Sequence, residues 1–239
     1  MADNYKNFSN EYIDEIQGDP SNNYFTPVLE KAYNITKAKN VLDVGCGNGI
    51  FSINLKNKFG CKLSGVDGNA YAIEKANQIG FDEVKQVRDF CSDEIPYKDY
   101  SFDLIICKDV LEHLVDPEFL LLGMKKKLKQ EGFVLVHVPN HFTLWGRLKF
   151  LFNNNIDCFN YFPGAERWAF PHIRFFTFES LVKIFEKNDF ALKTNLSDFF
   201  PSIPGGRFLP FHKKISKLLA NKYPDNFSEG LTLIFQKRR

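Results

Sequence analysis

A short apolar run, Val41-Leu42-Asp43-Val44, leads directly into Gly45-Cys46-Gly47-Asn48-Gly49 and then into a helical pattern from Ile50. An apolar run of this length, stopped by glycines, reads as a buried parallel strand. Glycine lacks Cβ, so three of them at alternate positions let the backbone turn sharply and approach a ligand closely. The helix behind such a turn opens with unpaired N–H groups and the positive end of its dipole. The stretch therefore predicts a cofactor loop at the tip of the first strand, in an α/β fold.

The dinucleotide fingerprint Gly-x-Gly-x-x-Gly needs a third glycine where this chain has Ile50. Here that glycine comes one residue early, at Gly49, and Asp43 lies two residues before the first glycine, where a ligand's ammonium group could be met. With its strand, its acid and its spacing, the stretch resembles motif I of the class I S-adenosylmethionine-dependent methyltransferases, close to Asp-x-Gly-x-Gly-x-Gly.

Further segments carry the resemblance in order. Lys62-Leu63-Ser64-Gly65-Val66-Asp67 reads as a second strand, and Asp67 follows Gly47 by twenty residues. That is about the interval at which an acid meets a ribose in nucleotide-binding βαβ units. Asp67 has two readings, ribose acceptor and N-cap of the helix from Asn69 to Gly80. A third strand, Glu83 to Val87, ends in Arg88-Asp89-Phe90, and a fourth, within Phe102 to Cys107, continues into Lys108-Asp109-Val110-Leu111-Glu112-His113-Leu114. The "VLEH" of this run, the "PN" of Pro139-Asn140 and the "HIRFFT" of His172 to Thr177 are similar to the small-molecule branch of the family (type 11/23-like).

The resemblance implies a Rossmann-like, seven-stranded, doubly wound α/β sheet with a lid insertion after the fifth strand. It implies S-adenosyl-L-methionine as cofactor and S-adenosyl-L-homocysteine as product. Contacts to it are expected from Asp43, Gly45, Cys46, Gly47 and Gly49, from Asp67 and Gly68, from Asp89 at the adenine amino group with Phe90 flanking the ring, and from Cys107 and His113. For His113, lining the pocket and supporting it structurally both stand.

At 239 residues, with 44% hydrophobic and 25% charged residues, one domain with a sizeable core is expected. The expected division is 1–35 an N-terminal arm and helix, 36–140 the cofactor core, 141–176 the lid, and 177–239 the remainder of the sheet. In the arm, a short helix around Glu11 to Ile16 is expected, and Tyr5 or Tyr12 could close over the cofactor or lie on the surface. Helices are expected over Phe25 to Lys37, with Pro27 in the first turn, over 50–59, and over 117–130 ending at Gly132. The fifth strand is expected at Phe133 to Val138. Phe142 to Pro171 is too long and aromatic for an ordinary connection, with Leu144 to Phe152 as a short amphipathic helix. Thr177 is expected to cap a helix over 178–188, followed by a strand at 190–197, an irregular stretch at 199–210, a helix at 211–221 and a strand from Leu231 to Gln236. Phe211, Ile215, Leu218 and Leu219 would form a face packed on the body. The 26 phenylalanines fit either an aromatic core or pocket or a codon bias.

A net charge of +2 does not announce a nucleic-acid or membrane partner, and the run Lys125-Lys126-Lys127 reads as a solvated end. Nucleic-acid amino methylation would favour Asn/Asp-Pro-Pro-aromatic after the fourth strand, where this chain has Cys107-Lys108-Asp109. Five cysteines without paired spacing argue for reduced thiols and a cytoplasmic protein. The polar Met1 to Asn10 does not read as a signal peptide, and no apolar run reaches transmembrane length.

Methyl transfer to a hydroxyl needs its proton removed, and histidine suits that near neutral pH. Of five histidines, His137 reads as a satisfied core residue and His212 as a surface one. His141 and His172 flank the lid, so one of them is expected to be the general base, with Asp109 or Glu166 orienting it. No histidine–carboxylate cluster shows ligand spacing, so no metal is expected. The acceptor expected from the resemblance is a small polar metabolite, methylated on oxygen, such as a sugar nucleotide or a cell-surface glycan precursor in polysaccharide biosynthesis. The alternatives are N-methylation of a small amine, nucleoside binding without catalysis, and an NAD-dependent oxidoreductase, which Ile50 disfavours.

Overall fold

The computed structural model of the chain describes Ile13 and residues 23–153, 172–197 and 218–238. The expectations on Tyr5, Tyr12, Glu166, His212, Phe211, Ile215 and the 199–210 stretch lie outside these residues, as does the lid segment 154–171. Seven strands form one sheet: β1 (Asn40–Val44), β2 (Lys62–Asp67), β3 (Glu83–Gln86), β4 (Phe102–Lys108), β5 (Leu128–Pro139), β6 (Phe190–Asn195) and β7 (Gly230–Lys237). Their order is β3-β2-β1-β4-β5-β7-β6. β1 pairs in parallel with β2 and β4, and β7 runs antiparallel to both β5 and β6. The chain winds outward to β3 and then returns to β4, parallel beside β1, so the strand order reverses between β1 and β4. Ligands of open α/β sheets bind outside the strands' C-terminal ends at such a point.

The pleat sorts the strand residues into two layers. On one face Leu42, Val44, Ile105, Cys107, Val134 and Val136 pack with the helices α4 (Pro117–Lys127) and α6 (Phe178–Lys187). On the other, Val41, Leu63, Leu104, Ile106 and Leu135 pack with α1 (Thr26–Thr36), α2 (Ile53–Phe59) and α3 (Ala70–Ile79). Adjacent strand residues such as Ile105 and Ile106 fall in different layers, as the period-two geometry of a strand requires. Phenylalanine serves the core directly: Phe25, Phe185, Phe190 and Phe235 are fully buried.

Several boundaries differ from the sequence reading. α4 stops at Lys127, because Leu128 is fully buried and already pairs with Phe102 as the first residue of β5. The ladder then slips between Phe102 and Leu104, and Glu131 takes a φ of 59° just before Gly132, so the expected helix end is a bulge inside a long strand. α2 begins at Ile53 rather than Ile50, since Gly49 N bonds to Cys46 O at 3.0 Å and the chain is still turning. Residues 218–222 are helical as expected, but Leu218 is exposed and the buried residue of that turn is Ala220. The helix starts follow their caps. Pro27 lies in the first turn of α1, Thr177 and Ser180 form a capping box at α6, and Asp116 caps α4. Two helices complete the described residues, α5 (Leu144–Asn153) and α7 (Pro224–Phe227). No helix among them is long and apolar enough to cross a membrane.

Phe185 stacks on Phe235 with ring centroids 4.0 Å apart and meets Phe190 edge-on at 5.5 Å, which ties α6 to the antiparallel edge of the sheet. Phe185→Ala removes a buried aromatic from both contacts and is expected to lower unfolding free energy by about 3–5 kcal/mol in urea denaturation. A loss under about 1 kcal/mol would show that this edge does not share the cooperative core.

Candidate functional site

The loop after β1 is shaped by its glycines. Gly45, Gly47 and Gly49 all have positive φ, at 71°, 53° and 81°. At the two outer positions the space is also closed. A Cβ on Gly45 would lie 2.4 Å from Val110 Cγ2, and one on Gly49 2.5 Å from Phe81 Cε2. Around Gly47 nothing lies within 4 Å, so the middle of the loop presents bare backbone to open space. Gly45 N and Cys46 N both donate to Val66 O, at 2.8 and 3.1 Å, and this fastens the loop to the tip of β2. From the N-terminal side, Asn48 Nδ2 donates to Ile13 O at 3.2 Å and Asn23 Nδ2 to Ile50 O at 3.4 Å.

Two carboxyl groups stand under this loop. Asp67, at the end of β2, is buried, and it accepts from Gly47 N at 2.8 Å and from Asn69 N at 2.9 Å. Burial raises its pKa against these backbone donors. The N-cap, the alternative reading of Asp67, belongs to Asn69, whose side chain accepts from Tyr71 N and Ala72 N. Asp43 is buried within β1, and burial pushes its carboxyl up to about 7, opposed by a 2.5 Å hydrogen bond from Ser52 Oγ. A buried carboxyl so placed is well suited to a cationic ligand, which would restore its ionised form. The charge of Lys108 also lowers the Asp43 pKa. The Lys108 side chain is 9% exposed, its ammonium sits over the Phe51 ring at 4.1 Å, and it pairs with Asp109.

Three histidines from separate parts of the chain converge beyond β4 and β5. His113 comes from a single 3₁₀ turn (Leu111–His113), His141 from the loop after β5, and His172 from the strand-like approach to α6. His141 Nε2 and His172 Nδ1 are 2.8 Å apart in a hydrogen bond. The His113 and His172 rings meet edge-on at 4.8 Å, and His141 meets Phe175 at 4.8 Å. Burial, with His113 and His141 as neighbours, drives the His172 pKa down to about 3, so its ring is neutral at physiological pH. Asn140 holds this loop in place. It is buried, and its amide donates to Pro224 O, Asp225 O and Ser228 O, while Oδ1 accepts from Phe142 N at 2.9 Å. The sequence reading quoted Asn140 but gave it no role, because its partners lie over eighty residues away.

The remaining expected site residues divide. Asp109 does not orient His141 or His172 through any described bond. It follows Lys108, which pairs in register with His137, and so it meets Lys108 and, at 3.5 Å, His137 Nε2. Lys108 lowers the Asp109 pKa against burial. His137 is satisfied as expected, with Nδ1 2.7 Å from Thr232 Oγ1, and burial lowers its pKa to about 4. Cys107 is sealed in the core, so it could meet a ligand only through its backbone. Cys46 is also buried, and burial raises both thiols well above their ordinary value. Asp89 caps its own turn, accepting from Cys91 N at 2.8 Å and Ser92 Oγ at 2.9 Å, and Phe90 packs half-buried on the core. Gly68 O accepts from Gln86 Nε2 at 2.9 Å. Glu112, which the sequence reading passed over, is 1% exposed beside His113 and His172. The histidine–carboxylate cluster absent from the linear spacing is therefore present in space.

A reversed seven-stranded sheet, an open glycine backbone at its first strand tip and acids at the tips of β1 and β2 define the class I S-adenosylmethionine-dependent methyltransferase fold. The methyltransferase-domain family model matches residues 22–195, and the chain belongs to that family. Two curated relatives are the ubiquinone biosynthesis O-methyltransferases of Glaesserella parasuis and Coxiella burnetii. The first is 32% identical over 110 residues, 43% of this chain and 46% of the relative. The second is 37% identical over 98 residues, 40% and 42% of the two chains. The matches thus span about half the length of these relatives. A SAM-dependent methyltransferase from Archaeoglobus fulgidus superposes with a TM-score of 0.60 at 18% identity, over 97% of this chain and all of the other. S-adenosyl-L-methionine is the cofactor of this family, and the residues present fit it: bare backbone at Gly47, and Asp43 and Asp67 beneath it.

The glycines separate folding from binding. Gly47→Ala places its methyl in open space at a left-handed φ, which costs roughly 1–2 kcal/mol. It is expected to fold, yet to lose most of the thermal stabilisation that S-adenosylhomocysteine gives the wild type. Gly45→Ala and Gly49→Ala collide with Val110 and Phe81 and are expected to lower the melting temperature of the ligand-free protein further. Equal melting temperatures in all three variants would contradict this division.

Proposed function

We propose that this protein transfers the methyl group of S-adenosyl-L-methionine to a hydroxyl of a small acceptor. The observation that carries the reading is the convergence of His113, His141 and His172, with a hydrogen bond between the last two. When bound, S-adenosyl-L-methionine supplies a methyl group on a positively charged sulfur, a good leaving group. The chain's own residues then position the acceptor, exclude water and remove a proton. Asp67 would hold the ribose hydroxyls, and Asp43 would face the ammonium group.

His141 is the better placed base of the two candidates. It is less buried than His172, its Nε2 is hydrogen-bonded to that ring, and its Nδ1, a buried atom, is the nitrogen that would take the proton from a bound acceptor. His172, kept neutral by burial, orients His141 through that hydrogen bond. Asn140 fixes the loop that carries the base. The relatives' names specify O-methylation, which supports oxygen over nitrogen as the acceptor atom.

The surroundings of His141 favour an acceptor with a flat or apolar portion. Phe175 lies edge-on to it, and α5 displays Leu144, Trp145, Leu148, Phe150, Leu151 and Phe152 toward solvent. We read α5 as the first part of a lid over the acceptor. A sugar nucleotide or glycan precursor rests only on the "VLEH", "PN" and "HIRFFT" resemblance. The test is S-adenosylhomocysteine release with panels of hydroxylated aromatic compounds, sugar nucleotides and amines. With any acceptor so found, His141→Ala is expected to lower kcat roughly 10²–10⁴-fold and leave cofactor affinity intact. Turnover that survives alanine at both His141 and His172 would reject the base, and methylation confined to amines would reject the oxygen acceptor.

A further inference from the structure

We infer that Glu112, His113 and His172 form a binding site for one divalent transition-metal ion of the zinc class. Glu112 is 1% exposed, and neither of its carboxylate oxygens has a hydrogen-bond partner. A buried carboxylate without donors is strongly disfavoured as an anion unless a cation accompanies it. The cationic side chains nearby are engaged elsewhere. Lys108 pairs with Asp109, and Arg174 donates through Nε to Leu114 O at 3.2 Å and through its terminal nitrogen to Val115 O.

The fold brings the other ligands to this carboxylate. Glu112 O accepts from Ile173 N at 2.9 Å and Arg174 N at 3.0 Å, which pins the segment carrying His172 against the 3₁₀ turn. One potential ligand atom from each of Glu112, His113 and His172 then lies within 4.8 Å of the others, with His113 Nε2 4.0 Å from Glu112 Oε1. Around a tetrahedral ion with bonds of about 2.0–2.2 Å, donor atoms sit roughly 3.4 Å apart. Side-chain rotations that draw the three donors in by about an ångström would bring them to ligating distance. Two imidazoles and one carboxylate suit zinc and its neighbours, and they leave a coordination position open. The bond between His141 and His172 is of the kind that orients a ligating imidazole from outside the shell.

The use of such an ion rests on the O-methyl-transfer reading; its binding does not. An acceptor hydroxyl at the open position would be acidified. With His172 ligating through Nε2, its Nδ1–H donates to His141 Nε2, so the acidified hydroxyl would lose its proton to water. The hydroxyl's oxygen lone pair would pass to the methyl carbon while the carbon–sulfur bond breaks with both electrons going to sulfur.

The test is titration of the chelator-stripped full chain with Zn²⁺ by calorimetry and with Co²⁺ by visible absorption. One saturable site per chain is expected, with cobalt d–d bands and no thiolate charge-transfer band. Glu112→Gln and His172→Ala are each expected to weaken binding at least tenfold, in line with the loss of a ligand. Folding of each variant is checked by its thermal shift with S-adenosylhomocysteine. Absence of a saturable site in the wild type, unchanged affinity in folded Glu112→Gln, or a thiolate band that places the ion on cysteines would each overturn the inference. Because no turnover is measured, failure of the O-methylation reading would leave this result standing.

Discussion

The site depends on a 2.8 Å hydrogen bond from Gly47 N to Asp67 Oδ2, which joins the loop after β1 to the tip of β2. A residue with a side chain at Gly47 would fill the space in front of the loop, and a shorter β2 would leave the loop without its anchor. Both conditions follow from the parallel pairing of Asp43 with Gly65 and Val44 with Val66. Gly65 has its own constraint, since a Cβ there would sit 2.9 Å from Cys46 Sγ and 3.0 Å from Phe81. The cofactor loop is thus backed by Val110 and Phe81, with its own Cys46 packed onto Gly65, and is open at Gly47.

Charge is distributed unevenly across the sheet's C-terminal edge. Over β1 and β2 lie two buried acids, Asp43 and Asp67, a setting that favours a cationic ligand. Over β4 and β5 lie the imidazoles of His113, His141 and His172, the last kept neutral by burial, with Glu112 among them. The reversal of strand order between β1 and β4 places these two regions side by side. A sulfonium held in the first region and an acceptor in the second would meet at that boundary, which suits a transfer between two bound molecules.

Much of the first region was legible in the sequence, because its signals are local. The glycine spacing, Asp43 and Asp67 each lie within a strand–turn–helix unit, and the periodicity of the strands was clear enough to order them. The second region was less legible because its contacts are distant. His141 and His172 were singled out by position alone, whereas their hydrogen bond spans thirty-one residues. Asn140 bonds to α7 and the turn after it, and Glu112 meets His172 through a segment distant in sequence, which bonds to Glu112 O through Ile173 N and Arg174 N. Asp109 pairs with its sequence neighbour Lys108, and its charge also acts on His172 and His113 of the cluster. The extension of β5 was hidden by Gly132, which reads as a helix stop and serves as a bulge.

The central claim is that the loop over Asp67 holds S-adenosylmethionine, and calorimetric titration tests it most directly. Wild-type protein is expected to bind S-adenosylmethionine and S-adenosylhomocysteine with dissociation constants on the order of micromolar, and NAD not measurably. Asp67→Ala should lose at least an order of magnitude in affinity for both sulfur nucleosides. No binding of either by a folded wild type, or a preference for NAD, would contradict the account of the glycine loop.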